Sequence, residues 1–201
     1  MIETPNLQTA REHLLYIRQT LEAAGQFTAV PGKCLVAAGM AALAGVLFNI
    51  MVTGAPWDRH AILPTALNAW AMVLGVSVAI VSAGIYYKSR QTGTRIQAPL
   101  LRKLLWSLCP ALFVGGILTS LAVRTDNLSW LPTVWLGCYG AAVTNGGQVS
   151  VPAVRYMGCC FLAVALGAAC SPPSLGLTWL ALGFGWLHLV FGIYIARRHH
   201  G

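Results

Sequence analysis

Six stretches of this sequence are apolar and long enough to cross a lipid bilayer as helices, and this feature constrains the fold more than any other. The hydrocarbon core of a bilayer is about 30 Å thick, which a helix of about 20 residues spans. Lipid offers no partners to backbone N–H and C=O groups, so such segments must be helical. The segments are residues 31–53, 64–87, 100–123, 128–145, 151–170 and 174–196, the fourth being the shortest. The sequence therefore predicts an all-α fold, a polytopic membrane helix bundle with six transmembrane helices.

The composition excludes an ordinary soluble domain. Of the 201 residues, 57% are hydrophobic and 9% are charged, whereas soluble domains carry about 25% charged residues. A soluble chain of this size would lack the polar groups needed to cover its surface. A bilayer removes that requirement, so we interpret the chain as an integral membrane protein.

The residues before the first apolar segment form a separate unit in this interpretation. Within residues 6–25, apolar side chains follow alternating spacings of three and four, which predicts an amphipathic helix. The charged side chains in this region leave no early apolar run, so it does not resemble a signal peptide. We expect residues 1–30 to be an N-terminal cytoplasmic amphipathic helix and residues 31–201 to be a six-helix transmembrane domain. The helix could lie on the inner leaflet, pack on the bundle or pair with a partner helix.

The distribution of basic residues predicts the orientation. With the N-terminus inside, eleven of the thirteen Lys and Arg residues fall on the cytoplasmic side, which is a strong positive-inside bias. These are Arg11, Arg18, Lys33, Lys88, Arg90, Arg95, Arg102, Lys103, Arg155, Arg197 and Arg198, while Arg59 and Arg124 fall outside. We therefore predict a multi-pass protein of a bacterial cytoplasmic (inner) membrane with its N-terminus and C-terminus cytoplasmic. The net charge of +8 indicates contact with anionic membrane lipid rather than nucleic acid.

Small residues recur at every fourth position in four of the spans. Such faces let helix backbones approach closely in lipid, so together they predict a compact bundle. The four sets are Ala37, Ala41 and Gly45; Gly75, Ala79 and Ala83; Ala111, Gly115 and Thr119; and Cys159, Ala163 and Gly167. Pro110 lies inside the third span, where it removes one helical hydrogen bond.

The positions of the acidic residues argue against several chemistries. The five carboxylates are Glu3, Glu12, Glu22, Asp58 and Asp126, and all fall outside the predicted spans. Proton pumps and ion-coupled transporters commonly rely on buried carboxylates, and metal sites of carboxylates and histidines need the same side chains. No motif of a hydrolase, nucleotide-binding loop or zinc protease occurs, and no cysteine pair has metal-ligand spacing. The sequence predicts no metal site, no catalytic residues and no enzyme.

His188 is the one histidine inside a predicted span and is the candidate cofactor-binding residue. Ionisable residues within the membrane merit a functional hypothesis, here an axial ligand to haem or chlorophyll, or a substrate contact. The alternative is a neutral histidine that forms a hydrogen bond with Tyr139, Asn145 or a backbone carbonyl of a neighbouring helix. A bis-histidine haem needs a second histidine within the membrane, and this sequence offers none. The sequence does not identify a cofactor.

Four segments resemble a group of uncharacterised bacterial six-span integral membrane proteins of similar length. They are LEAAGQFTAVPGK at 21–33, CPALFVGGILTSLAVR at 109–124, WLGCYGAAVTNGG at 135–147 and LALGFGWLHLVFGIYIARRHHG at 180–201. Members of that group look like products of genes beside winged-helix transcriptional regulators. The resemblance implies a membrane partner of a regulatory pair. It carries no established activity, so no site residues transfer.

Three functional hypotheses remain open at this point. The first is a non-enzymatic membrane protein that binds a protein partner, as an accessory subunit or a regulatory anchor, or that forms a homo-oligomer. The second is a small-molecule transporter or channel, which the Pro110 position and the polar residues within spans would suit. The third is a haem- or pigment-binding subunit of an energy-converting membrane complex, which rests on His188 alone.

Overall fold

The computed structural model describes residues 13, 30–53, 57, 63–91 and 98–198. The amphipathic helix predicted for residues 6–25 lies outside this set, apart from His13. Six helices follow one another along the described chain, and none of the described residues forms a strand. They are α1 (Gly32–Thr53), α2 (Leu63–Gln91), α3 (Ala98–Arg124), α4 (Leu131–Gly146), α5 (Pro152–Ala169) and α6 (residues 176–198). The prediction of an all-α bundle is confirmed.

Each predicted span coincides with a helix to within a few residues. Five of the described helices are long and apolar enough to cross a membrane, while α4, with 16 residues, is the exception. At 1.5 Å per residue, α4 is about 24 Å long, and a 3-10 turn at Gly147–Val149 extends it. Pro132 and Pro152 lie in the first turns of α4 and α5, where a missing N–H costs no helical hydrogen bond.

Neighbouring helices run antiparallel, as the contacts between their ends show. The start of α1 meets the end of α6, where a Cβ on Gly32 would overlap the backbone of Ala196. Contact this close requires glycine, since a side chain at that position would separate the two backbones. Further along, Gly39 of α1 lies against Gly185 and His188 of α6. The two helices therefore pack side by side over most of their length.

The other helices join the bundle in the same alternating manner. The indole N–H of Trp135 in α4 donates a hydrogen bond to the hydroxyl of Thr119 in α3, with N and O 2.9 Å apart. The amide of Asn145 at the end of α4 donates to the carbonyl of Ser107 in the first half of α3. On the other side of α4, Gly158 of α5 lies against the backbone of Thr144. The helix α4 is thus held between α3 and α5.

Burial differs sharply between the helices. Within the apolar stretch of α1 that could cross a membrane, 39% of the residues are buried. The corresponding shares in α5 and α6 are 33% each. The corresponding share is 6% in both α2 and α3. The core is therefore formed by α1, α4, α5 and α6, and the two longest helices lie at its periphery.

The alternating topology collects the cations at one end of the bundle. We call this the basic end, and it holds seven of the eight Lys and Arg side chains that the structure describes. They are Lys33, Arg90, Arg102, Lys103, Arg155, Arg197 and Arg198. Arg124 and Asp126 lie at the opposite end, in and after the last turn of α3. There Asp126 adopts a left-handed φ of 48°, which reverses the chain into α4.

Candidate functional site

A widened turn of α6 shapes the centre of the bundle. Residues Ala181–Leu187 form a π-helix between the α-helical segments Gly176–Leu180 and His188–Arg198. Leu136 of α4 fills the space beside Gly183, and Leu43 of α1 fills the space beside Gly185. A side chain at either glycine would collide with these leucines. Segments of π-helix are rare and occur frequently at functional sites.

The π-helical segment leads directly into His188, the residue singled out in the sequence. His188 is 6% exposed, and its Nε2 atom lies 2.8 Å from the hydroxyl oxygen of Tyr139 in α4. This bond joins two helices through the bundle core, as one alternative derived from the sequence anticipated. With neutral imidazole, the Tyr139 O–H donates to Nε2 and the ring proton sits on Nδ1. Nδ1 makes no hydrogen bond of good geometry with the described residues, although the carbonyl groups of Gly183 and Phe184 lie beside it.

Aromatic rings surround the His188–Tyr139 pair. The ring of Phe161 lies 5.4 Å from that of His188 in an edge-on arrangement, and the ring of Phe184 lies 6.2 Å away and nearly parallel. Tyr139 contacts the same two phenylalanines, at 4.8 Å and 5.1 Å. Offset and edge-on pairs of this kind stabilise a core beyond their buried area. The histidine therefore sits in a dense apolar and aromatic environment.

This aromatic cluster extends from α6 to the two peripheral helices. Trp70 of α2 is 6% exposed, and its ring lies 6.1 Å from that of Phe184 and 6.1 Å from that of Trp135. Trp135 in turn forms the hydrogen bond to α3 described above. Trp57, which precedes α2, packs edge-on against Trp135 and donates to the carbonyl of Leu128. The rings thus connect α2, α4 and α6, and the Trp135 hydrogen bond joins them to α3.

The geometry bears on the cofactor prediction for His188. Its Nε2 atom already has a partner, and a metal or haem iron at that atom would require Tyr139 to move. No group of three or more His, Cys, Asp or Glu residues that could hold a metal ion occurs within the described part of the chain. Cofactor binding at His188 stays a prediction, and the visible absorption spectrum of the purified protein tests it.

Most other polar side chains within the spans donate hydrogen bonds to backbone carbonyl groups of their own helices. The Asn49 amide donates to the carbonyl of Gly45, and the Thr144 hydroxyl donates to that of Gly140. All six cysteines are free thiols. His60, His199 and His200 lie outside the described residues.

The outward side of α2 carries a line of six exposed residues, four of which are small or polar. We call this line the outward seam of α2, and it lies opposite the buried residues Ala66 and Trp70. Its members are Asn68, Met72, Gly75, Ala79, Ser82 and Tyr86, spaced alternately by four and three residues, and all six are exposed. A Cβ on Gly75 would meet no atom of the described residues within 4 Å. The small-residue set Gly75, Ala79 and Ala83 therefore does not pack inside the bundle, contrary to our expectation.

The corresponding side of α3 has a different composition. The largest side chains of its outward face are Trp106, Phe113 and Ile117, which are 67%, 70% and 51% exposed, with Pro110 and Ser120 exposed beside them. The small residue Gly115 faces inward, where a Cβ would lie 3.1 Å from Cys138 of α4. For α3 the expectation that the small residues pack within the bundle is confirmed.

Its position near a predicted interface marks Trp70 as a residue of the tryptophan belt, whereas the structure buries it in the aromatic cluster. Sequence reasoning did not single out Phe184 or the π-helical segment. The available signal was weak: two glycines two residues apart, Gly183 and Gly185, with a tryptophan in a different span. Comparisons with family models, with curated proteins and with solved structures give no match to this chain. The group named in the sequence analysis accordingly remains a resemblance.

Proposed function

We propose that this protein is a non-enzymatic membrane subunit that binds a transmembrane helix of a partner protein along the outward seam of α2. The observation that carries the proposal is the composition of that seam. Four of its six residues are small or polar, namely Asn68, Gly75, Ala79 and Ser82, and all are exposed. The partner helix would bring its own small residues against this line.

Lipid alone does not account for the composition of the seam. Hydrocarbon chains are as apolar as leucine and accept large apolar side chains, as α3 presents with Phe113 and Ile117. An amide such as Asn68 loses its hydrogen bonds to water within a membrane unless another protein group supplies them. Glycine also lowers helix stability by about 1 kcal/mol relative to alanine. Close contact with another helix offsets both costs.

The arrangement also supports a role as a subunit rather than as a catalyst. The polar groups at the bundle centre, His188 and Tyr139, are bonded to each other and enclosed by rings. The side chains with unused capacity to recognise another protein lie on the periphery instead. Whether the chain serves as an accessory subunit or as a regulatory anchor depends on the identity of the partner.

We further infer that the basic end faces the cytoplasm of a bacterial cell, in its cytoplasmic membrane, with both termini on that side. Positive charge within short loops and near helix ends favours retention on the cytoplasmic side. Seven described cations at the basic end against Arg124 at the other support this orientation. Tags on the two termini that proved accessible from opposite sides of the membrane would contradict it.

Purification from the native membrane in a mild detergent tests the proposed function. We expect the wild-type chain to retain a second polypeptide at a fixed stoichiometry, and Gly75→Leu to lose it because leucine fills the contact line. Gly116→Leu is the matched control, since Gly116 of α3 is likewise exposed, with no described atom within 4 Å of where a Cβ would lie. We expect that variant to retain the partner.

Each outcome of this experiment decides the matter. A partner that survives Gly75→Leu, or that is lost equally with Gly116→Leu, contradicts binding at the outward seam. A wild-type chain that stays alone in native membranes, measured by cross-linking before extraction, contradicts the function altogether. Recovery of a second copy of this chain at α2 would replace the subunit hypothesis with a homodimer.

A further inference from the structure

The hydrogen-bonded pair at the bundle centre joins an oxidisable phenol to a base. The hydroxyl oxygen of Tyr139 lies 2.8 Å from Nε2 of His188, and with neutral imidazole the O–H group donates to that nitrogen. Loss of one electron turns a phenol into a very strong acid, so a tyrosine is oxidised readily where a base takes its proton at once. Imidazole is such a base and serves as a proton shuttle in proteins. The pair therefore has the groups needed for one-electron oxidation of Tyr139.

The surroundings of His188 suit the charge that this oxidation would leave on its ring. An imidazolium donates hydrogen bonds from both ring nitrogens. The carbonyl groups of Gly183 and Phe184 lie beside Nδ1, and a charged donor forms stronger hydrogen bonds than a neutral one. The carbonyl dipoles of the π-helical segment would thus stabilise the protonated ring, whereas a wholly apolar pocket would not.

Tryptophan rings lead from this pair to one end of the bundle. The ring of Phe184 lies 5.1 Å from that of Tyr139 and 6.1 Å from that of Trp70. The ring of Trp135 lies 6.1 Å from that of Trp70 and 5.8 Å from that of Trp57. Trp57 precedes α2, so it lies at the end of the bundle opposite the basic end. A series of neighbouring rings therefore connects Tyr139 with that end.

The hydrogen bonds of the tryptophans distinguish them from Tyr139. The indole N–H of Trp70 is buried and has no acceptor among the residues that the structure describes. The N–H groups of Trp135 and Trp57 donate to a hydroxyl and to a backbone carbonyl, and neither acceptor is an effective base. An oxidised indole in this series would keep its proton and regain an electron from a neighbouring ring. Oxidation would end at Tyr139, because its proton alone has a base to receive it.

We propose that Tyr139 is a redox-active tyrosine, oxidised through the tryptophans by a one-electron oxidant such as a high-potential metal complex or an oxygen-derived radical. One electron leaves Tyr139, passes by way of Trp70, Trp135 and Trp57, and reduces the oxidant. The phenolic O–H bond breaks, and the proton forms a bond to Nε2 of His188. The products are a neutral tyrosyl radical, an imidazolium and the reduced oxidant. This inference stands apart from the proposed function, since it uses neither the outward seam of α2 nor a partner protein.

Electron paramagnetic resonance of the full-length chain in detergent tests the proposal, with hexachloroiridate(IV) as the oxidant and freezing after a delay. We expect a tyrosyl radical that persists after radicals of exposed tyrosines have decayed, because the aromatic core shields it from other molecules. Tyr139→Phe should lose this persistent signal. The matched control Tyr156→Phe removes the hydroxyl of a tyrosine that is 58% exposed, and it should keep the signal.

Two further substitutions test the proton acceptor and the electron path. His188→Gln keeps a hydrogen-bond acceptor near Tyr139 but removes the base, so the persistent radical should be lost. Trp70→Phe keeps an aromatic ring but removes the oxidisable indole, so the radical yield should fall. Trp106→Phe, on the outward face of α3, is the matched control for Trp70→Phe and should leave the yield unchanged.

The opposite results overturn the proposal. A persistent radical of equal yield in Tyr139→Phe excludes this tyrosine, and the absence of a persistent radical in the wild type excludes the redox role altogether. An undiminished signal in His188→Gln excludes His188 as the proton acceptor, and equal yields in Trp70→Phe and Trp106→Phe exclude the electron path. If Tyr139→Phe fails to fold, high-field spectra of the wild type decide, because a hydrogen bond to the radical oxygen lowers its largest g value. Absence of that decrease excludes the pair.

Discussion

The helices α2 and α3 invite comparison because they share length, hydropathy and a peripheral position but differ in what they turn outward. They have 29 and 27 residues, and in each only 6% of the residues in the apolar stretch are buried. Outward, α3 presents mainly large side chains such as Trp106, Phe113 and Ile117, whereas α2 places Asn68, Gly75 and Ser82 between Met72 and Tyr86. Large apolar side chains suit lipid, and small or polar ones suit another helix. If the proposed function holds, exposure alone does not identify a lipid-facing surface.

The two helices also differ in how they are attached. Two interhelical hydrogen bonds, from Trp135 and Asn145, tie α3 to α4 at Thr119 and at Ser107, twelve residues apart. In α2 the buried side chains among those described are Ala66 and Trp70, both in its first half. Trp70 is therefore the main anchor of α2. The remainder of the helix packs against α1 through contacts such as that of Gly84 with Cys34.

The largest predicted effect comes from removing the side chain that anchors α2. Trp70→Ala should lower the free energy of unfolding by about 3–5 kcal/mol, the usual cost of removing a large buried aromatic side chain. Trp106→Ala on the outward face of α3 removes the same atoms from a residue that is 67% exposed, and should cost less than about 1 kcal/mol. Thermal or chemical unfolding in detergent measures both. Equal effects would mean that α2 and α3 are not anchored as described.

A second prediction concerns the core to which Trp70 connects α2. Tyr139→Phe keeps the ring but removes the hydroxyl that donates to His188, leaving a buried nitrogen without its partner. We expect a loss of about 1–2 kcal/mol in unfolding free energy. Tyr86→Phe, at the exposed end of the outward seam, is the control and should leave stability unchanged. An unaffected Tyr139→Phe variant would show that the bond contributes nothing to stability.

A smaller effect should follow from loosening α3. Thr119→Val removes the hydroxyl that accepts the Trp135 hydrogen bond while keeping the side-chain shape. Interhelical hydrogen bonds within membranes contribute about 0.6 kcal/mol on average, so we expect a loss of roughly that size. Ser120→Ala, at the exposed neighbouring position, provides the reference in the same unfolding assay. A larger loss in the reference variant would contradict the assigned role of Thr119.

The smallest effect sharpens the comparison between the two outward surfaces. In the isolated chain, Gly75→Leu and Gly116→Leu should both preserve stability or raise it by up to about 1 kcal/mol, since each replaces an exposed helical glycine. Unfolding without a partner measures this. A destabilised Gly75→Leu chain would mean that the seam is occupied within the molecule, and the partner experiment would lose its meaning.

Sequence reasoning predicted the spans because their length and hydropathy follow from the thickness of the bilayer. It could not predict which face of a span turns inward, because lipid and core are equally apolar. The set Gly75, Ala79 and Ala83 reads like the set Ala111, Gly115 and Thr119, yet one lies exposed and the other packs on α4. Only the remaining helices distinguish them.

The candidate site could likewise be predicted only in part. A histidine within an apolar segment is conspicuous, and Tyr139 was among its anticipated partners. The surrounding rings come from residues far apart in sequence, such as Trp70 and Phe184, so no local pattern reveals them. The π-helical turn could not be predicted either, because it depends on how Leu136 and Leu43 pack against Gly183 and Gly185.

That widened turn links two distant parts of α6. Residues in an α-helix advance by about 100° each, and a π-turn takes up one residue more than an α-turn. If all seven residues of Ala181–Leu187 wound regularly, everything beyond them would rotate by about that angle, and His188 would leave its aromatic surroundings. The widened winding thus sets the phase of the C-terminal half, and an insertion in this stretch should be tolerated far less than one in a connecting loop.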